Sequence, residues 1–103
     1  MFVDITDDAE SDLEEIGDFI ARKGSPKRAG TFVEELEQAC MTLAGTPWLF
    51  PLVPRYEELG IRHRVHGNYQ IFYRVVEADD RIDVLRILNS RRDYLSILFP
   101  SQA

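Results

Sequence analysis

The sequence predicts an α+β domain in which two amphipathic helices cover one face of an antiparallel sheet. Two stretches in its first half carry apolar residues at helical spacing, and three segments in its second half alternate like strands and are separated by tight turns. The predicted order is an N-terminal strand, an antiparallel helical hairpin, a three-stranded antiparallel meander and a short C-terminal helix (β-α-α-β-β-β-α). Amphipathic helices need an apolar surface to bury against, and a sheet face supplies one.

The helical hairpin follows a short strand predicted at Phe2 to Ile5. Thr6 is a suitable N-cap, and the acids of the next turn suit the helix dipole. Gly24 ends this helix, and Ser25-Pro26 begins the second, which Gly45-Thr46-Pro47 ends. Because about two residues join the helices, they should be antiparallel neighbours. The apolar stripes are Ala9, Leu13, Ile16 and Ile20 in the first helix, and Ala29, Phe32, Val33, Leu36, Cys40 and Leu43 in the second.

The second half begins with an irregular loop, residues 46–60, whose apolar side chains (Trp48, Phe50 and Leu52) should fold back over the core. Strands rich in aromatic and β-branched residues follow, joined by two tight turns. The predicted strands are Ile61 to His66, Tyr69 to Glu77 and Ile82 to Leu88, the turns are Gly67-Asn68 and Ala78 to Arg81, and the last helix is Arg91 to Leu98 before Pro100.

Arginines interrupt the apolar alternation of these strands. In the last strand, regular alternation groups Ile82, Val84, Arg86 and Leu88 on one side. We expect Arg64, Arg74 and Arg86 to lie on a face that is only partly covered and open to a partner. If Arg86 is buried it needs an acidic partner, either an internal acid or a carboxylate of a bound protein.

Composition is that of one globular domain spanning residues 1–103. No apolar run approaches the ~20 residues of a membrane span, and the acidic N-terminus does not resemble a signal peptide. The lone cysteine, Cys40, excludes an internal disulfide, indicates a reducing cytoplasm and fits a core position. One cysteine and two separated histidines predict no metal site, and without a glycine-rich phosphate loop we expect no cofactor.

The charged residues are unevenly divided between the two halves of the chain. Residues 1–54 hold 4 Lys/Arg against 11 Asp/Glu, and residues 55–103 hold 8 Arg against 7 Asp/Glu, so the net charge of −6 arises in the first half. An acidic protein has the wrong field for nucleic acid, and we expect no direct specific DNA binding by this chain alone. A local arginine cluster can still bind phosphate or carboxylates.

Two long segments resemble the ParE/RelE superfamily of type II toxins, ParE-like branch. They are GIRHRVHGNYQIFYRVVEADDRIDVLRILNSRRDYLSIL and, for the helical hairpin, DDAESDLEEIGDFIARKGSPKRAGTFVEELEQACMTLAGTP. The resemblance implies a cytoplasmic toxin, a role in plasmid stabilisation and a ParD-like antitoxin that wraps it with an extended or helical tail. One departure is Asn89-Ser90, where ParE-like sequences often have His-Gly.

Two toxic activities are known in this superfamily. ParE-like members poison DNA gyrase, and RelE-like members cut mRNA on the ribosome. The nuclease requires an acid, a base and cations around the phosphate. Arg64, Arg86, Arg92 and Tyr94 are its candidates here. The base is the weak point: His63 and His66 are possible bases, but they should face opposite sides of their strand and cannot both serve one site.

The resemblance therefore favours a gyrase poison, which needs a binding surface and no catalytic pair. Two alternatives stay open: a metal-free, ribosome-dependent mRNA endonuclease, and a non-toxic co-regulator that only binds the antitoxin. The expected target-binding residues are Arg74, Arg86, Arg91, Arg92 and Tyr94, and the expected antitoxin-binding residues are Arg62, Arg64, Arg74, Arg86, Trp48 and Phe50.

Overall fold

The fold starts with strand β1 (Phe2–Ile5) and a hairpin of helices α1 (Asp7–Lys23) and α2 (Pro26–Met41) in this computed structural model, which describes residues 1–100. The side chains of Thr6 and Ser25 accept from backbone amides of the first helical turns, confirming both predicted N-caps. The predicted domain extends to residue 103, and residues 101–103 lie outside the described part. None of the described helices has the length and apolarity needed to cross a membrane.

The sheet contains β2 (Ile61–His66), β3 (Tyr69–Val76) and β4 (Arg81–Asn89), and the short helix α3 (Tyr94–Leu98) follows it. The predicted antiparallel meander is confirmed, with β1 added as a parallel neighbour of β4, so that the strand order is β1-β4-β3-β2. The observed ends of some helices and strands differ by one to three residues from the predicted ends. Helix α3 begins three residues later than predicted because Asp93 caps it, while β4 is one residue longer at each end.

A β-bulge in β4 overturns the predicted alternation of that strand. Phe72 pairs with Arg86 and Tyr73 pairs with Val84, so Leu85 is an extra residue. Such an insertion shifts the side chains beyond it to the other face. Ile87 therefore joins Ile82 and Val84 beneath the helices, where regular alternation had placed Arg86 and Leu88.

Two apolar clusters lie on opposite faces of the sheet. The larger one is formed by the helical stripes and side chains such as Ile71, Tyr73 and Val84. The smaller one contains Phe72 and Leu88 beneath α3 and part of the loop. Cys40 is fully buried in the larger cluster, as predicted.

The prediction of one open face carrying Arg64, Arg74 and Arg86 is wrong. Arg64 reaches back to the end of α2, whereas Arg74 is paired in register with Ile61, a residue of the smaller cluster. Arg86 lies beyond the last residue that β1 pairs with, where it contacts α1. The bulge separates Arg86 from Arg64, whereas simple alternation in the regular β2–β3 pair places Arg74 on the face opposite to Arg64.

The loop between α2 and β2 folds back over the sheet, as its apolar content predicted. Phe50 packs against the larger cluster, and the hydroxyl of Tyr73 donates to the carbonyl of Pro47 at 2.9 Å. Leu52 forms an isolated bridge with Arg62. Beside it, the Val53 amide donates to the carbonyl of Ile61, and the His63 amide donates to the carbonyl of Pro51. The loop thus covers part of β2, which would otherwise be a free sheet edge.

Candidate functional site

The arginine–aromatic cluster consists of Arg62, Arg64, Trp48 and Phe50. Arg62 and Arg64 are two positions apart on β2 and therefore point to the same side of the sheet. The Arg62 guanidinium lies 5.1 Å from the Trp48 ring centroid, and that of Arg64 lies 4.9 Å from the centroid of Phe50. Both contacts have the geometry of cation–π pairs. The structure thus brings together four of the six residues expected to bind an antitoxin.

Backbone carbonyls hold the two guanidinium groups of this cluster. Arg62 donates to the carbonyl of Phe50 at 2.7 Å, and Arg64 donates to the carbonyl of Ala39 at 2.7 Å. Neither arginine forms an ion pair within residues 1–100. Their positive charges are positioned but not neutralised, and Trp48 beside them is 51% exposed. This arrangement suits an incoming carboxylate next to an apolar side chain.

Arg86 has an internal partner, Asp12 of α1. Its Nε and Nη2 donate to the two oxygens of Asp12, both at 2.8 Å, and the Ile87 amide also donates to Asp12 at 2.8 Å. The hydrogen bonds from Arg86 to this carboxylate raise the pKa of the guanidinium above its ordinary value. Of the two partners that the sequence left open for Arg86, the structure shows the internal acid.

Asp12 is the residue that the sequence reasoning missed. It is 4% exposed. The signal was present in the helical spacing, since Asp12 lies three positions after Ala9 and four before Ile16, on the stripe that faces the sheet.

The opposite sheet face carries a row of ring systems under α3. His63 is stacked on Phe72 with ring centroids 6.3 Å apart, and Tyr94 meets Phe72 at 5.1 Å. Nδ1 of His63 lies 2.9 Å from the side-chain oxygen of Gln70. On the other face His66 lies beside Phe32, with ring centroids 5.9 Å apart. The two histidines thus face opposite sides, as predicted.

The four candidates for nuclease chemistry are not gathered at one point. Arg64 lies against α2 and Arg86 is held by Asp12, whereas Tyr94 packs on Phe72 on the opposite face. Arg92 lines a recess of about 250 Å³ with Asp12 and Asn89. Of the remaining target-binding candidates, Arg74 is exposed on β3, and Arg91 is exposed in the turn before α3.

A sequence model of the ParE toxin of type II toxin–antitoxin systems, parDE, matches residues 3–94. This match includes the hairpin, the sheet, the arginine–aromatic cluster and the start of α3. The chain belongs to the ParE toxin family. The resemblance seen in the sequence is thereby confirmed, and the protein is a toxin of the type II toxin–antitoxin class.

Solved structures share the fold of this ParE-family toxin at low sequence identity. The chromosomal ParDE system from P. aeruginosa matches with a TM-score of 0.70 and 22% identity, over 86% of this chain and 95% of that one. The toxin–antitoxin complex RelBE2 from Mycobacterium tuberculosis matches with a TM-score of 0.64 and 21% identity, over 85% and 95%.

The intact E. coli RelBE toxin–antitoxin complex matches with a TM-score of 0.61 and 16% identity, over 88% of this chain and 98% of that one. A search of curated protein sequences returned no match. Structures from both the ParE and RelE branches therefore share this fold, and the fold alone does not distinguish their targets.

Proposed function

We propose that this ParE-family toxin inhibits DNA gyrase in the cytoplasm and is neutralised by a ParD-like antitoxin. The observation that carries the proposal is the separation of the nuclease candidates. Arg64 and Tyr94 lie on opposite faces of the sheet, and Asp12 engages Arg86. Acid–base cleavage needs such groups within hydrogen-bond reach of one phosphate. Inhibition by binding needs only a complementary surface.

The target-binding surface in this proposal is the segment around α3. Arg91 and Arg92 are exposed directly before the helix, and Tyr94 is half-buried against Phe72. Arginine and tyrosine are frequent among the residues that dominate binding energies, because they combine a wide contact area with hydrogen bonding. Arg74 extends the surface along β3. Arg86 is a weaker candidate, since a target would compete with Asp12 for its guanidinium.

The antitoxin-binding surface in this proposal is the arginine–aromatic cluster. An antitoxin tail with an apolar residue against Trp48 and an acid facing Arg62 and Arg64 complements both its shape and its charge. The guanidinium groups are already oriented by backbone carbonyls. Such preorganisation lowers the entropic cost of binding.

A ribosome-dependent mRNA endonuclease is the second candidate function. The observation in its favour is that His63 and Tyr94 both pack on Phe72, which places a titratable imidazole and a phenol on one face of the sheet. Histidine and tyrosine are residue types that perform general acid–base catalysis.

Induction of the full chain without antitoxin in a bacterial host tests these proposals. Gyrase inhibition predicts altered plasmid supercoiling and DNA damage while mRNA stays intact. Ribosomal cleavage predicts cut mRNA and unchanged supercoiling. Normal growth at a verified protein level would contradict both activities and support the non-toxic co-regulator. Coexpression of the antitoxin should restore growth, and an antitoxin without its tail should not.

A further inference from the structure

The turn of the helical hairpin carries a basic tip that no function above uses. We define it as Arg22, Lys23, Lys27 and Arg28, which are all four basic residues of the acidic first half, within a stretch of seven residues. No Asp or Glu occurs between Asp18 and Glu34. All four side chains are exposed. The tip is therefore a local positive patch on a protein of net charge −6.

The helix dipole explains only half of this patch, because Arg22 and Lys23 lie in the last turn of α1, where cations are favoured, and Lys27 and Arg28 do not. Within residues 1–100 none of its four cations forms an ion pair. Helix α2 has no acid in its first turn, where Lys27 and Arg28 occur. The helix dipole disfavours cations at that end. Four unpaired cations close together also repel each other, so their placement indicates an anionic ligand.

A groove of about 620 Å³ lies beside the tip, between the hairpin and the β2–β3 turn. Lys23 and Arg28 line it together with three aromatic rings, and the Phe32 and Tyr69 ring centroids are 5.6 Å apart. Phe19 is 49% exposed, and Nζ of Lys23 lies 6.0 Å from its ring centroid. The polar lining also includes the amide side chains of Asn68 and Asn89 and one acid, Glu35, whose carboxylate lies 3.9 Å from His66.

We propose that this groove and the basic tip bind single-stranded nucleic acid without sequence specificity. Cations beside one exposed ring, Phe19, and two partly buried rings match the two chemical parts of a strand, since phosphates pair with the cations and unpaired bases stack on the rings. Bases within a duplex cannot reach recessed rings. An acidic peptide would satisfy the cations but leave the rings unused. The proposal does not depend on whether the toxin acts on gyrase or on the ribosome.

Fluorescence anisotropy with the purified full chain and a short labelled oligothymidylate tests the proposal. The logarithm of the affinity should fall with that of the salt concentration, with a slope of about −0.7 per phosphate contacted. The double variant Lys23→Gln/Arg28→Gln should weaken binding and flatten this slope by about 1.4. Phe19→Ala should weaken binding at least about fivefold, because it removes a stacking platform, and leave the slope unchanged.

The matched control is Arg55→Gln, which removes one exposed arginine from the loop before β2 and should leave binding unchanged. The proposal is overturned if the oligothymidylate does not bind at low salt, or if the tip and Phe19 variants bind like wild type. A duplex of the same length that binds as tightly would show that the rings play no part. Preference for polyglutamate would assign the tip to an acidic protein. Circular dichroism of each variant confirms that it is folded.

Discussion

Asp12 in helix α1 and Arg86 in strand β4 form a bidentate ion pair, although 74 positions separate them in the chain. The same carboxylate accepts the amide of Ile87, next to the β-bulge. Strand β1 pairs with β4 only as far as Val84, so that amide has no partner from β1. Asp12 therefore fastens the helix to the sheet edge and supplies the hydrogen bond that a neighbouring strand would have made.

Replacing Asp12 by Asn should lower the free energy of unfolding by about 2 kcal/mol. The amide keeps the size of the side chain, and its one oxygen can still accept from Arg86 Nε and Ile87, but its NH2 group cannot accept from Arg86 Nη2 and the negative charge is lost. The loss is below the ~3–5 kcal/mol of a fully buried pair, because the Arg86 side chain is 27% exposed and water can solvate its charge. Urea denaturation at neutral pH measures the change.

Asp18→Asn is the matched control on the same helix. Asp18 is exposed and forms no ion pair within residues 1–100, so its replacement should change stability by less than about 0.5 kcal/mol. If the two variants were equally stable, the bond network around Asp12 would have no structural importance.

The sequence was sufficient for the element order because its signals were local. Thr6 and Ser25 marked helix starts, and Gly67 with Asn68 marked the β2–β3 turn. The bulge at Leu85 was not predictable in the same way. It depends on how β4 pairs with β3 and on the support that Asp12 gives, and both are long-range relationships.

The sequence predicted one part of the candidate site, the arginine–aromatic cluster, but not the position of Arg86. Arg62 and Arg64 share a strand face by simple alternation, and the aromatic loop before them had to fold back somewhere. Their meeting with Trp48 and Phe50 follows from these two facts. Placing Arg86 on the correct face of the sheet required knowledge of the bulge, so the prediction that Arg86 lies beside Arg64 was wrong.

Two glycine substitutions should change stability in opposite directions. Gly67 has a φ of +59° in the β2–β3 turn, where a side chain is strained, so Gly67→Ala should destabilise the protein by about 1 kcal/mol. Gly30 lies within α2 with open space around its Cα, so Gly30→Ala should stabilise it by about 0.5–1 kcal/mol. Thermal unfolding, monitored by circular dichroism, measures both stability changes. If both substitutions stabilised or both destabilised the protein, the backbone geometry at one of the two glycines would be wrong.

Cys40 should resist alkylation in the folded protein. Burial raises the pKa of its thiol from the ordinary 9.0 to about 12, and the thiolate is the reactive form. Because the thiolate fraction at pH 8 falls by that shift, iodoacetamide should modify the native protein on the order of a thousandfold more slowly than the urea-unfolded chain. Equal rates in the two states would show that the core around Cys40 opens readily.

The raised pKa of Cys40 also makes the free energy of unfolding depend on pH. The folded-state pKa lies above the ordinary value, so the buried neutral thiol contributes fully below pH 9.0. That contribution is lost as the pH rises towards about 12. Cys40→Ala should therefore lose less stability than wild type when urea denaturation is repeated across this alkaline range.

Arg62→Lys should weaken antitoxin binding about tenfold, equivalent to about 1.4 kcal/mol. Lysine keeps the charge but not the planar group that lies over Trp48 and donates to the carbonyl of Phe50. Trp48 is the only tryptophan, so its emission reports binding of a tryptophan-free antitoxin tail. The control Arg55→Lys should bind like wild type. Unchanged affinity of Arg62→Lys would remove the cluster from the proposed interface.

Tyr94→Phe separates the two candidate toxic activities. The ring packs on Phe72 with centroids 5.1 Å apart, and phenylalanine preserves that contact while removing the hydroxyl. A general acid contributes about 10²–10⁴-fold to a rate, so an endonuclease that used this hydroxyl would lose nearly all toxicity. For gyrase inhibition through a binding surface, we expect Tyr94→Phe to stay toxic within about threefold, and Tyr94→Ala to lose toxicity with the ring. The measurement that separates these outcomes is the inducer concentration that halves growth, at matched protein levels.

Loss of toxicity in Tyr94→Phe, accompanied by intact mRNA in the variant and cleaved mRNA in wild type, would overturn the gyrase proposal.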